Sequence, residues 1–150
     1  MGTIFQAPQY DPRREKRRRK ILLIAAAVVV VIAVLAWTFR YWPEERVVDR
    51  FFAALEQKDY EKAYGIYLHD PDWKQHPDQY AARYSFRDFY NDWGPGGEWG
   101  IIRSYKILGA GSPPKGGSGV IVEVRINDRV EPARIWVEKS DKTLTAPSPY

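Results

Sequence analysis

Residues 47–67 read VVDRFFAALEQKDYEKAYGIY, and the spacing of their apolar side chains sets the architecture of the larger part of the chain. Val47, Val48, Phe51, Phe52 and Leu55 recur at one-, three- and four-residue steps, which predicts an amphipathic helix running to about Gln57. Upstream, Pro43-Glu44-Glu45 suits a helix start, because proline is tolerated in the first turn and carboxylates there complement the helix dipole. Asp59 then caps a second helix whose Tyr60, Ala63, Tyr64, Tyr67 and Leu68 share one side. A connection of about two residues makes the two helices a tight pair.

Working downstream, His69-Asp70-Pro71-Asp72 breaks the second helix, and a short helix is expected over Pro77–Arg83. Ser85 with Asp88 three residues later is close to a capping box. It opens a third helix carrying Phe86, Phe89, Tyr90 and Trp93, which Gly94-Pro95-Gly96-Gly97 ends. The remainder is β-like. Gly100–Leu108 is rich in strand formers but mixed in pattern, and Ser112–Ser118 is a Pro/Gly loop. Val120, Val122, Val124 and Ile126 alternate with Ile121, Glu123 and Arg125, the signature of a half-buried strand. A two-residue turn at Asn127-Asp128 would set Val120 opposite Ile135, Val122 opposite Ala133 and Gly119 opposite Trp136. A last turn near Ser140-Asp141-Lys142 leads into Thr143–Ala146, with a frayed end at 147–150. Helices followed by an antiparallel meander make an α+β domain over 44–146.

Working upstream, Ile21–Ala36 is ILLIAAAVVVVIAVLA, sixteen uninterrupted apolar residues extended by Trp37, Thr38 and Phe39. Nineteen helical residues reach about 28 Å, close to the ~30 Å hydrocarbon thickness of a bilayer. No polar face interrupts this run, so 21–39 is expected to be a transmembrane helix. Arg13, Arg14, Lys16, Arg17, Arg18, Arg19 and Lys20 precede it, and positive flanks stay cytoplasmic. The tail 1–20 is thus a basic cytoplasmic segment that meets anionic lipid headgroups. Trp37, Tyr41 and Trp42 anchor the far interface, with 40–43 as an interfacial linker, and the domain is extracytoplasmic at the inner (plasma) membrane. The competing interpretation is a signal peptide cleaved after Ala36.

The formal charge of +4 has to be split by position. Residues 1–42 carry a net +6 and residues 43–150 a net −2, so the basic character describes topology and excludes nucleic acid as a partner of the domain. The absence of cysteine removes disulfides, thiolate zinc sites and thiol nucleophiles.

Residues 47–67, with the Asp59-Tyr60 turn and Ala63-Tyr64 beyond it, resemble the nuclear transport factor 2-like superfamily. The resemblance extends more loosely through Ser85–Trp93 and the strands Val120–Ile126 and Arg134–Glu138. It implies a cone of about three helices on a curved antiparallel sheet, with a pocket at the open end. The superfamily holds isomerases and cyclases beside many noncatalytic domains, so function does not follow from fold.

An enzyme of this kind needs a pocket carboxylate and buried donors. Asp49, Asp59, Tyr60, Tyr64 and Tyr67 are the available groups, yet each also suits a cap, a solvent-facing charge or a packing residue. His69, His76, Asp70, Asp72 and Asp78 lack the fixed spacing of a metal motif. Neither a metal nor a cofactor is expected. The aromatic residues are the remaining signal: Phe52, Tyr64, Tyr67, Trp73, Phe89, Trp93 and Trp136 are the candidates for lining a pocket or an interface. Trp136 shares a strand face with Arg134 and Glu138, on the outer side of the sheet that forms dimers in the superfamily. The expected function is a noncatalytic, membrane-tethered binding or accessory domain for an envelope protein or a small apolar ligand. An isomerase- or cyclase-like enzyme using Asp and Tyr is one alternative. A structural or regulatory homodimer joined through the sheet is the other.

Overall fold

The computed structural model describes residues 12–146, so the expectations for 1–11 and for the frayed end at 147–150 lie outside the described residues. The chain divides into two compact units, residues 1–40 and residues 41–150. In the first, a single helix α1 spans Pro12–Thr38, and none of its residues is buried. Ile21 to Leu35 expose half or more of each large side chain, on every side of the helix. By length and composition this helix can cross a membrane. It starts well before the apolar run, because the basic stretch is also helical, with Arg19 bound to Glu15 one turn back at 2.8 Å. Thr38 returns its hydroxyl to the Val34 carbonyl, so the one polar side chain after the apolar run is satisfied within the helix.

The second unit is α+β, with α2 (Trp42–Glu56), α3 (Tyr60–Leu68), α4 (Asp78–Ala81), α5 (Phe86–Trp93) and a short 3-10 turn at Trp73–Gln75. Four antiparallel strands follow in the order β1-β2-β3-β4: Tyr105–Gly111, Gly119–Ile126, Ala133–Glu138 and Leu144–Thr145. α2 starts one residue before Pro43, inside the expected linker, with Glu44 and Glu45 in its first turn. Lys58 takes a left-handed φ of 60° between the two helices, and Asp59 caps α3 by accepting from the Lys62 N–H. At the far end of α3, His69 is left-handed and Asp70 returns its N–H to the Gly65 carbonyl, a Schellman closure. Ser85 and Asp88 form the full capping box on α5. The short helix is four residues, and the 3-10 turn before it has no counterpart in the sequence pattern.

Two strand assignments need correction. Ile101–Ser104 is not strand, because the Asn127 side chain accepts from the N–H groups of Arg103 and Ser104 and donates to the Ile101 carbonyl. β1 therefore starts at Tyr105 and continues to Gly111. A bulge at Leu108 sets Ile107 opposite Val124 and Gly109 opposite Glu123. Ile107 and Ala110 thereby share the core face although they are three residues apart, which is why the segment looked mixed.

The β2–β3 register also differs from the expected one. Arg129 N–H closes on the Ile126 carbonyl at 3.0 Å, and Asn127 and Asp128 both have positive φ, the two-residue turn that was anticipated. Yet Val120 faces Val137, Val122 faces Ile135 and Gly119 faces Glu138, two residues beyond expectation. Pro132 has no N–H to give to a ladder, so Val130-Glu131-Pro132 loops out before pairing resumes at Val124 and Ala133. An even shift leaves every side chain on its intended face.

Helices α2 and α3 pack on one face of the sheet, where Val120, Val122, Val124, Ile126, Ile135 and Val137 are buried, and α5 packs on α3. The outer face carries Trp136 opposite Ile121, as its alternation with Arg134 and Glu138 implies. Trp136 is nevertheless only 7% exposed. Its ring lies on the backbone at Gly117 and Gly119, and a Cβ on Gly119 would fall 2.4 Å from the indole and 2.6 Å from the Val137 carbonyl oxygen. We expect Gly119→Ala to cost about 1–3 kcal/mol through overpacking against backbone. A lower urea midpoint with an unchanged slope checks this, and unchanged stability would contradict the packing.

Candidate functional site

Rings fill the seam where α2 meets α3 and α5. Phe51 meets Phe52, Trp93, Tyr67 and Phe89 at centroid distances of 5.2, 5.0, 5.8 and 6.1 Å. Phe52 also stacks on Tyr105 of β1. Of the aromatic candidates, Phe52, Tyr64, Tyr67, Phe89 and Trp93 are thus core residues. Trp73 packs edge-on to Tyr64, stacks on Phe86 and gives its indole N–H to the Glu61 carbonyl. Trp136 is remote from all of these, on the opposite face of the sheet.

The phenols inside have structural partners. Tyr64 donates to the Tyr84 carbonyl at 2.6 Å, and Tyr67 accepts from the Ala146 N–H at 3.2 Å. Burial raises the pKa of both. The carboxylates considered as bases face outward. Asp59 is the cap of α3, and Asp49 accepts from the Tyr105 hydroxyl at 2.8 Å on an exposed surface. Burial first, and then this bond, raise the Tyr105 pKa. The one buried charged side chain among the described residues is Glu44, bound to Lys142 at 2.7 Å; its second oxygen is enclosed without a hydrogen-bond partner. This pair ties the first turn of α2 to the β3–β4 turn, far from the tyrosines named above as donors.

A recess with a volume of about 770 Å³ lies on the groove between α2 and α3. Val47, Ala53, Ala54 and Ile66 supply an apolar floor, and Arg50 and Lys62 stand on opposite walls. Gly65 lets the chain fold back at one end, since a Cβ there would press on the Asp70 carbonyl at 3.1 Å and on Trp73 at 3.3 Å. Glu61 on this rim is held by Lys74. A second recess of about 690 Å³, between the loop after α5 and β3, is edged by Trp93 and Ile135 with Asp92, Glu98 and Glu131. Trp73 and Trp93 are therefore the candidates that border a recess. The groove itself had a sequence signal that was available: Arg50, Ala53 and Gln57 repeat along the face of the helix opposite Phe51.

A polar cluster organises the segment after α3. Asp70 accepts from the Tyr80 hydroxyl at 2.6 Å, from His76 Nε2 at 2.5 Å and from the Asp72 N–H at 3.0 Å. Among the described residues no group of three or more His, Asp or Glu side chains is placed to hold a metal ion. Comparisons with known proteins find no matching family model, no similar curated protein and no similar solved structure. The chain offers surface recesses beside a ring-packed helical core.

The Asp70 cluster has a defined pH response. Hydrogen bonds from Tyr80 first, then from His76 and Asp72, hold the Asp70 carboxyl below the usual carboxylate range. A carboxyl depressed in the folded state stabilises it above the unfolded pKa of about 4 and loses that contribution as pH falls further. The same bond pushes Tyr80 up to about 12. Its share is intact below the ordinary tyrosine value of about 10 and is lost as pH rises through the folded value. We expect Asp70→Asn to flatten the loss of stability below pH ~4 and above pH ~10 relative to the parent chain. Thermal melts across pH check this, and parallel profiles for the two proteins would contradict it.

Proposed function

We propose that the chain is a single-pass membrane protein whose basic N-terminus stays in the cytoplasm. Its nuclear transport factor 2-like domain then works outside the inner membrane as a noncatalytic binding or accessory module. The observation that carries this reading is where the chain puts its apolar surface. In the domain it turns inward and is closed by ring packing, whereas in α1 it turns outward along the whole of Ile21–Leu35. A helix uncovered on all sides requires an apolar medium, since water leaves that surface unpaid by any burial. The cations before it favour cytoplasmic retention. Arg40 lies over the Trp37 ring at 3.9 Å, an amphipathic pair suited to the headgroup region at the other end.

The binding role is supported by the siting of polar groups. Asp49 and Asp59 serve surface contacts, and Tyr64 and Tyr67 serve backbone groups, so of the residues an isomerase-like mechanism would use, these four are committed elsewhere. The recesses with room for a ligand are instead open at the surface.

Because the chain has no cysteine, single introduced thiols report topology without background. In intact cells a membrane-impermeant maleimide should label Ser140→Cys, and should label Lys16→Cys only after lysis. The reverse pattern overturns the orientation. The mass of the membrane-bound protein should equal that of the full chain, and a product beginning after Ala36 would replace the anchor with a cleaved signal. Turnover of a small substrate by the purified chain would overturn the noncatalytic role.

A further inference from the structure

Val130 is the most exposed large apolar side chain of the domain, at 93%. It sits on the segment that loops out between the Asn127-Asp128 turn and Ala133, and it takes no part in strand pairing. Carboxylates flank it at Asp128 and Glu131, while Arg129 is turned away, with its guanidinium over Trp99 at 5.0 Å and bound to the Glu98 carbonyl. The hairpin tip is thus an apolar knob between two negative charges.

The groove between α2 and α3 is its complement. Its floor is apolar and is lined partly by alanines, leaving room for a small branched side chain. Arg50 of α2, its Nε on the Arg46 carbonyl, and Lys62 of α3 both line it, and among the described residues neither forms an ion pair. The carboxylates on the same rim are already engaged, Glu61 with Lys74 and Asp59 with the first turn of α3.

We propose that the groove receives the hairpin tip of a second copy of this chain, with Val130 on the alanine floor and Asp128 and Glu131 against Arg50 and Lys62. Knob and groove are different patches of one domain, so each contact joins the tip of one copy to the groove of another. It rests on the membrane-tethered reading above. Anchors in one bilayer confine the copies and raise their effective concentration, so a small contact suffices.

The test uses the full chain in liposomes. One preparation carries Val130→Cys, another Ala53→Cys, and a third contains both proteins together. Oxidation should yield a disulfide dimer in the mixed sample and none in either alone. In the mixed sample, Arg50→Glu with Lys62→Glu on the Ala53→Cys chain should lower the yield by about fivefold, as for two exposed charge pairs. Asp128→Lys with Glu131→Lys on the Val130→Cys chain should restore it. Equal product from Val130→Cys alone overturns the proposal in favour of tip-to-tip collision. Absence of mixed product also overturns it, as when another protein's segment fills the groove. Alkaline carbonate extraction of the same liposomes separates the two readings. Retained chain without mixed product sinks the contact alone, and released chain sinks the tether.

Discussion

Phe51 has no exposed surface, and its ring touches rings from α2, α3 and α5 at once. The three helices are therefore oriented through one side chain. Each buried aromatic contributes about 1.5–3 kcal/mol by leaving water, and the tilted and edge-on contacts add specificity to that burial. The chain has no disulfide to restrain it, so this cluster must supply the cohesion. The same packing holds α2, α3 and α5 to one another, while a recess edged by Trp93 and the inner-face Ile135 stays open between the loop after α5 and β3.

A domain packed in this way meets partners with its outside. The outer sheet face is the obvious surface for a half-covered sheet, but the Ser112–Ser118 loop brings Gly117 against the Trp136 indole and buries Pro113. Glycine at 117 and 119 is needed for that approach, because side chains there would collide with the ring. Sheet-face pairing would require the loop to move. The groove between α2 and α3 and the hairpin tip need no such rearrangement for the contact proposed above.

Local rules were legible wherever one turn of chain satisfied itself. Asp59 capping α3 and the Ser85–Asp88 box involve contacts three residues apart, so sequence spacing contains the whole interaction. The failures came where a distant group supplied the bond. Nothing within Ile101–Ser104 says that the Asn127 side chain will take its N–H groups in place of a strand. The register of β2 on β3 failed for a related reason. The turn was correct, but Pro132, four residues beyond it, displaced the ladder by two. Of the aromatic candidates for a pocket or interface, six come together around the helices and Trp136 does not, because composition does not say which rings meet after folding.

By itself the sequence determined that one helix must be surrounded by something other than water. It also determined that the rest alternates and repeats in the manner of an α+β domain, because hydrophobic periodicity is a one-dimensional property. The tertiary structure alone decided that Phe51 meets rings of α3 and α5. It alone placed Trp136 beneath its own loop and left Val130 uncovered at a hairpin tip. Those outcomes depend on which surfaces meet after the chain has folded back, over separations that no local pattern encodes.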